Sequence, residues 1–99
     1  MGTYRRRVNS MNQIALPKQL EIIFLERQGK KSISDCKVYI KKTDKEAIII
    51  DDLSNIPENE FPKYFPLHIG KEQRFICPFR NLEWIVFKGL KNKIILQPE

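Results

Sequence analysis

The sequence predicts a small, mainly β protein with one helix, an α+β fold that occupies residues 1–99 as a single domain. Two observations predict this class. Most apolar residues occur in short β-branched or aromatic runs separated by turn residues, which is typical of strands. One segment, residues 18–27, has its apolar residues at helical spacing instead. A chain of 99 residues, 41% of them hydrophobic, can bury one modest core without metal or disulfide staples.

The first half of the chain indicates two short strands followed by a helix. Residues 4–8 and 14–16 are the strands, and the polar segment 9–12 is the turn between them. Pro17 ends the second strand because it has no amide proton, and it suits the first turn of a helix.

The helix is predicted over residues 18–27, with Gly29 as its C-terminal cap. Three residues form its apolar stripe: Leu20, Ile23 and Phe24. Glu21 is expected to face water.

A β-hairpin is predicted in each half. The first spans residues 38–50 with its turn at 41–46, and the second spans residues 84–96 with its turn at 88–92. A strand over residues 74–77 precedes the second hairpin.

Residues 53–66 contain three prolines and no apolar period, so they are predicted to connect a first unit (4–52) to a second β unit (67–99). Three aromatic residues of this connector are expected to pack on the domain surface: Phe61, Tyr64 and Phe65.

The two units show a weak internal repeat. Residues 8–17 align with 69–78, and residues 38–50 align with 84–96, in the same order. The second copy lacks the helix, because only five residues separate its proline from its hairpin. The alternative is that any two hairpins look alike.

The predicted core consists of apolar residues from the helix and the strands. These residues are Ile14, Leu16, Leu20, Phe24, Val38, Ile40, Ile48, Ile50, Ile76, Ile85, Phe87 and Ile95.

The net charge of +6 is confined to the first half of the chain. Residues 1–50 contain eleven lysines and arginines against five acids, whereas residues 51–99 contain seven of each. Such an asymmetry is typical of a protein that binds a polyanion. A solvated charged face is the alternative.

The sequence lacks the patterns that catalysis, metal binding or membrane insertion require. It has one histidine, His68, two cysteines expected to be reduced, and no metal-ligand spacing or phosphate-binding glycine loop. Its longest apolar runs have four residues, and polar residues follow Arg5–Arg7 where a signal peptide would be apolar. We therefore expect a cytoplasmic, non-enzymatic binding protein with no catalytic residue, cofactor, metal or membrane partner.

The segment of residues 5–20, RRRVNSMNQIALPKQL, resembles the opening of the AbrB-type swapped-hairpin proteins, which include MazE-like antitoxins and the tandem MraZ regulators. Asn9 occupies the position where the family usually has Asp, and Asn12-Gln13 replaces its Gly-Arg turn. The apolar triplet, Pro17 and Leu20 match the pattern, and the hairpin of residues 38–50 resembles the end of that domain.

The resemblance implies a small swapped-hairpin β-barrel, formed as a dimer or as a tandem pseudo-dimer whose second copy is eroded. It implies self-association and a DNA-binding transcriptional regulator. Its DNA-binding residues would be Arg5, Arg6, Arg7, Gln13 and Lys18. Because side chains alternate along a strand, one or two of the three arginines would face the DNA.

Two alternatives remain open from the residues. The first is a protein–protein interaction module, or an antitoxin-like protein that binds its partner through Phe61, Tyr64, Phe65 and Phe79. The second is a small RNA-binding β-barrel, with Tyr39, Phe75 or Trp84 as stacking platforms.

Overall fold

The computed structural model describes residues 2–99. Within them, eight strands form a six-stranded sheet and a two-stranded ribbon. The strands are β1 (Thr3–Arg7), β2 (Gln13–Ala15), β3 (Val38–Lys42), β4 (Ala47–Ile50), β5 (Phe65–Leu67), β6 (Arg74–Ile76), β7 (Trp84–Leu90) and β8 (Lys93–Pro98). The helix is α1 (Lys18–Gln28), and short 3-10 helices cover Ile33–Asp35, Glu58–Lys63 and Lys71–Gln73. The prediction of a mainly β fold with one α-helix is confirmed.

The sheet has the strand order β1-β7-β8-β4-β3-β5, and β2 pairs with β6 in the ribbon. All of these pairings are antiparallel. Within residues 2–99, β1 and β5 are edge strands that do not pair with each other, so the closed barrel is not found. Pro66 lies in β5, where a residue without an amide proton is tolerated because the strand is an edge.

The two halves of the chain exchange strands. β1 of the first half pairs with β7 of the second, β5 of the second half pairs with β3 of the first, and β4 and β8 meet at the centre. The ribbon likewise joins one strand from each half. Each half therefore completes the sheet of the other.

The hydrogen bonds of the ribbon have a pseudo-two-fold symmetry that matches the alignment of the two turns. The Leu16 amide donates to the Gln73 carbonyl at 2.8 Å, and the Cys77 amide donates to the Asn12 carbonyl at 2.8 Å. In the alignment, Leu16 corresponds to Cys77 and Asn12 corresponds to Gln73, so each of these two bonds is the counterpart of the other. Asn12 and Gln73 also share a left-handed backbone, with φ of 58° and 56°.

In the structure, the two hairpins match each other one residue away from the match that the sequence alignment gives. Val38 pairs with Leu67 across β3 and β5, and Ile85 pairs with Arg6 across β7 and β1. When the alignment of residues 8–17 with 69–78 is continued toward the N-terminus, Leu67 is the counterpart of Arg6. The counterpart of Val38 is therefore Ile85 rather than Trp84, and both residues are buried.

The core lies between the ribbon, α1 and one face of the six-stranded sheet, which we call the inner face. Phe75 of the ribbon meets Phe87 of β7 edge-to-face, with ring centroids 6.3 Å apart. Leu20, Ile23 and Phe24 of α1 belong to the same buried cluster. The opposite face of the sheet is its outer face.

α1 begins after Pro17 and ends at Gly29, which matches the prediction. Gly29 adopts φ of 61°, and its amide donates to the Leu25 carbonyl. Glu21 does not face water, since it is buried in the helix packing, and this burial raises the pKa of its carboxyl. Like the other helices of residues 2–99, α1 is not long and apolar enough to cross a membrane.

The predicted core is correct for eight of its twelve residues. Eight of its residues are buried: Ile14, Leu16, Leu20, Phe24, Val38, Ile50, Ile85 and Phe87. Ile40, Ile48 and Ile95 are half-buried, and Ile76 is 59% exposed. Ile48 and Ile95 pair with each other on the outer face, whereas their neighbours Ile49 and Ile94 are fully buried. A continuous apolar run does not reveal which of its residues points inward.

The connector contains regular structure that the sequence did not predict, namely a 3-10 helix and the start of β5. It is attached to the outer face, where Lys41 Nζ lies 3.0 Å from Glu60 Oε1 and 5.5 Å from the Tyr64 ring centroid. Phe65 does not pack on the surface, since it is 63% exposed. Phe61 is 37% exposed.

Candidate nucleic-acid interface

The three consecutive arginines lie in β1 and alternate between the two faces of the sheet. Arg5 pairs with Val86 and Arg7 with Trp84, on the outer face. Arg6 pairs with buried Ile85 and lies on the inner side of the edge. Because side chains alternate along a strand, two of the three arginines lie on the outer face and one lies on the inner side.

Arg5 and Arg7 both contact the ring of Trp84. The Arg5 Cζ lies 3.9 Å from the ring centroid, and the Arg7 Cζ lies 5.4 Å from it. Guanidinium groups bind the negative face of an indole ring, which holds the flexible arginine side chains in place. We call Arg5, Arg7 and Trp84 the arginine–tryptophan cluster.

Each guanidinium of the cluster also has an acidic neighbour. Arg5 Nε donates to Glu99 Oε1 at 2.6 Å, and Arg7 Nη2 lies 3.2 Å from Glu83 Oε1. The two arginine side chains are 53% and 66% exposed. Ion pairs this exposed are weak, so a phosphate can replace the carboxylate.

Lys88 extends the positive surface along β7. It pairs with Thr3 and Ile95, which places it on the outer face two residues beyond Val86. It is exposed, and within residues 2–99 no ion pair is seen for it. The outer face at this end of the sheet thus combines three cations with one aromatic ring.

Arg6 does not join the cluster. Its Cζ lies 5.9 Å from the Tyr4 ring centroid, and its Nη1 donates to the Arg5 carbonyl at 2.9 Å. The side chain is half-buried at the sheet edge.

Gln13 and Lys18 are placed on other elements. Gln13 lies in β2, where its Oε1 accepts a hydrogen bond from Asn9 Nδ2 at 3.3 Å. Lys18 is exposed at the start of α1. Across the described part of the chain, no hydrogen bond, ion pair or cation–π contact joins either residue to the arginine–tryptophan cluster.

The turn before β2 contains a residue in the left-handed conformation. Asn9 Oδ1 accepts the amides of Met11 and Gln13 at 3.0 and 2.8 Å. Asn12 then adopts the left-handed conformation, which asparagine tolerates better than most residues. Asn12 therefore has a backbone conformation that glycine adopts most easily.

Two of the aromatic residues expected to serve the alternative functions are buried. Phe75 is 2% exposed and Phe79 is 7% exposed, so neither offers a stacking or docking surface. Trp84 and Tyr39 are half-buried on the outer face.

The sequence alone does not place Trp84 and Lys88 beside the arginines. Alternation along residues 84–88 is visible in the sequence, but the pairing of β7 with β1 joins residues from opposite ends of the chain. The register of that pairing is the missing information.

Comparison of the chain with protein-family models and with curated protein sequences finds no match in either set.

Proposed function

We propose that the protein is a non-enzymatic, DNA-binding transcriptional regulator that acts in the cytoplasm. The arginine–tryptophan cluster is the observation that supports this proposal most directly. Two guanidinium groups lie on one exposed sheet face, held by a single indole ring. A surface of this kind suits a polyanion with regularly spaced charges.

We further propose that the chain is a tandem member of the AbrB, MazE and MraZ swapped-hairpin superfamily. The exchange of β1 and β5 between the halves supports this assignment, since neither hairpin is paired only within its own half. The pseudo-two-fold pairs of hydrogen bonds in the ribbon support it as well.

The proposed mechanism is an exchange of carboxylates for phosphates. In the free protein, Glu99 forms an ion pair with Arg5, and Glu83 forms one with Arg7. On binding, two backbone phosphates of the duplex displace them, and Lys88 contacts a third. Because arginine donates two parallel hydrogen bonds, it can also bind a guanine edge in the major groove.

Self-association belongs to the same proposal, because two chains would present two clusters to one operator. The exposed Phe65 on the edge strand β5 is an apolar surface available for it. Sedimentation of the full chain with and without Phe65→Ser tests this part, and a monomer at all concentrations would refute it.

The experiment measures binding of the full chain to a fluorescent duplex of about 20 base pairs at increasing salt. The double variant Arg5→Ala, Arg7→Ala should weaken binding and lower the salt slope by about two units, one for each lost phosphate contact. Arg6→Ala is the matched control, because it removes the same residue type from the same strand on the other face. It should change both quantities much less.

Three results would contradict the proposal. They are wild-type protein without salt-sensitive duplex binding, equal effects of Arg6→Ala and of the double variant Arg5→Ala, Arg7→Ala, and tighter binding of single-stranded RNA of the same length that depends on Trp84. The last result would favour the RNA-binding alternative instead.

A further inference from the structure

A small cavity lies where the connector crosses the outer face of the sheet. Its volume is about 150 Å³. Ile48 and Ile50 of β4 line it on the side of the sheet, and Ile56 and Tyr64 line it on the side of the connector. The cavity therefore exists because the connector folds back over the sheet. Among residues 2–99, its lining includes no member of the arginine–tryptophan cluster.

Part of the cavity lining is apolar. Ile48 and Ile50 lie on the same face of β4, because they are two residues apart on a strand. Ile50 is 7% exposed, and Ile56 is half-buried above it. The Tyr64 ring is held in place by Lys41, whose Nζ lies 5.5 Å from the ring centroid. The cavity thus has a preformed apolar surface that can contact an aliphatic group of a ligand.

The end of the cavity next to α1 has an excess of one negative charge. Two carboxylates share a single guanidinium there, since Arg27 Nε lies 3.0 Å from Asp51 Oδ2 and Arg27 Nη2 lies 4.0 Å from Asp52 Oδ2. The Asp51 side chain is 4% exposed, whereas that of Asp52 is 45% exposed. The hydrogen bond from the Ser54 amide lowers the pKa of the Asp52 carboxyl, so Asp52 is ionised at neutral pH. Asp52 is therefore an accessible carboxylate that can pair with an ammonium group.

Lys93 supplies the opposite charge. It pairs with Ile50 in the sheet, which places its side chain on the outer face beside the apolar part of the lining. Lys93 is half-buried, and within residues 2–99 no ion pair is seen for it. A half-buried ammonium group without a counter-charge favours a carboxylate on the ligand, because charge-assisted hydrogen bonds are strong.

The charges of the lining sum to zero but are separated in space. Arg27 and Lys93 are positive, and Asp51 and Asp52 are negative. A simple anion or cation would satisfy one of the two unpaired charges, whereas a zwitterion satisfies both. A cavity of about 150 Å³ is known to hold a molecule of benzene size, so the ligand has roughly six to ten non-hydrogen atoms.

We propose that this cavity binds a free α-amino acid with an aliphatic side chain. The aliphatic side chain contacts Ile48, Ile50 and Ile56. The ammonium group of the amino acid pairs with Asp52, and its carboxylate pairs with Lys93. The site is separate from the arginine–tryptophan cluster and does not depend on DNA binding.

The test titrates the isotope-labelled full chain with L-leucine and follows its amide signals by NMR. The signals of Ile56, Tyr64 and Lys93 should shift together and saturate, with a Kd of about 0.1–10 mM for a ligand of this size. Two analogues separate the charges of the ligand, because isocaproate lacks the ammonium group and isoamylamine lacks the carboxylate. Each analogue should bind at least about fivefold more weakly than leucine.

Two variants assign these charges to residues of the protein. Lys93→Gln should weaken leucine binding at least about fivefold but should not weaken isoamylamine binding, because that analogue has no carboxylate. Asp52→Asn keeps the oxygen that accepts the Ser54 amide. It should weaken leucine binding to a similar extent but should not weaken isocaproate binding.

Lys91→Gln is the matched control, because Lys91 is exposed in the turn next to Lys93 and does not line the cavity. It should leave leucine binding unchanged. Thermal unfolding checks that each variant is folded.

The proposal is overturned if leucine shows no saturable binding up to about 50 mM, or if its shifts centre on Arg5, Arg7 and Trp84. It is also overturned if Lys93→Gln and Lys91→Gln have equal effects. An analogue that binds as tightly as leucine would assign the cavity to a simple anion or cation and would likewise overturn it. None of these measurements uses a duplex, so their failure is distinct from a failure of the proposed DNA binding.

Discussion

The two ends of the six-stranded sheet have corresponding hydrogen bonding but different surface chemistry. At one end, β1 and β7 present Arg5 and Arg7 around Trp84. At the other end, β5 pairs with β3 in the corresponding register, and the counterparts of the two arginines are Pro66 of β5 and His68, which follows the strand. The same backbone arrangement therefore has a basic face at one end only.

The connector increases this difference. Lys41 is the counterpart of Lys88, but it is held by Glu60 and lies beneath the 3-10 helix Glu58–Lys63. Lys88 is open to solvent. A pseudo-symmetric backbone therefore does not imply two equivalent binding surfaces, because binding depends on side chains placed on the fold.

The largest effect on stability is expected from substitutions where β4 and β8 meet, because both ends of the sheet pack on the same core. Ile49 and Leu96 are corresponding residues of β4 and β8, and both are fully buried. Ile49→Ala and Leu96→Ala should each lower the free energy of unfolding by about 2–5 kcal/mol in urea denaturation. Ile48→Ala is the control, because Ile48 faces outward and should cost less than half as much.

Unequal costs would break the correspondence between the halves. If Ile48→Ala destabilises the protein as much as Ile49→Ala, the outer face is a second core and not a binding surface. If Leu96→Ala costs much less than Ile49→Ala, the two hairpins do not contribute equally to the sheet.

A smaller effect is expected at the basic end from the removal of the indole ring. Trp84→Ala should weaken duplex binding about twofold to fivefold, because an exposed cation–π contact is worth about 0.5–1 kcal/mol. The salt slope should hardly change, because no charge is lost. Trp84→Phe keeps an aromatic face and should give an intermediate affinity. A lower slope in Trp84→Ala would show that the ring does more than orient the arginines.

Local features of the fold could be predicted from the sequence. α1 is bounded by Pro17 and Gly29, whose effects act on their immediate neighbours. The hairpins were predictable because their strands are adjacent in the chain and separated by polar turns.

Other features could not be predicted, because they depend on distant parts of the chain. β5 has three residues including a proline, and its pairing with β3 supplies the stabilisation that its own sequence does not. The alternation of Arg5 to Arg7 was predictable, but the face that contains Trp84 was set by the register of β1 on β7. The run Ile48-Ile49-Ile50 fits either phase of a strand, so the packing decides which residue is buried.

The smallest effect is expected at the end of the sheet formed by β3 and β5, where Glu60 attaches the connector to Lys41. Hydrogen bonds from Lys63 and Lys41 hold the pKa of Glu60 below its ordinary value of 4.5. A carboxyl with a lowered pKa stabilises the attached state above its ordinary pKa and loses this contribution as the pH falls through the lowered value. Protection of residues 57–63 from amide hydrogen exchange, corrected for intrinsic rates, should therefore decrease below pH 4.5 in the wild-type protein.

The variant Glu60→Gln tests the attachment of the connector without changing the rest of the fold. At neutral pH, the variant should be cleaved faster by trypsin after Lys63, because both lysine contacts of the carboxylate are removed. Glu58→Gln is the matched control on the same 3-10 helix, and cleavage should stay at the wild-type rate. Duplex binding should not rise in Glu60→Gln, since the exposed end then offers Pro66 and His68 where the basic end has arginines. A gain in duplex binding comparable to the loss in the Arg5→Ala, Arg7→Ala protein would mean that the connector hides a second, equivalent site.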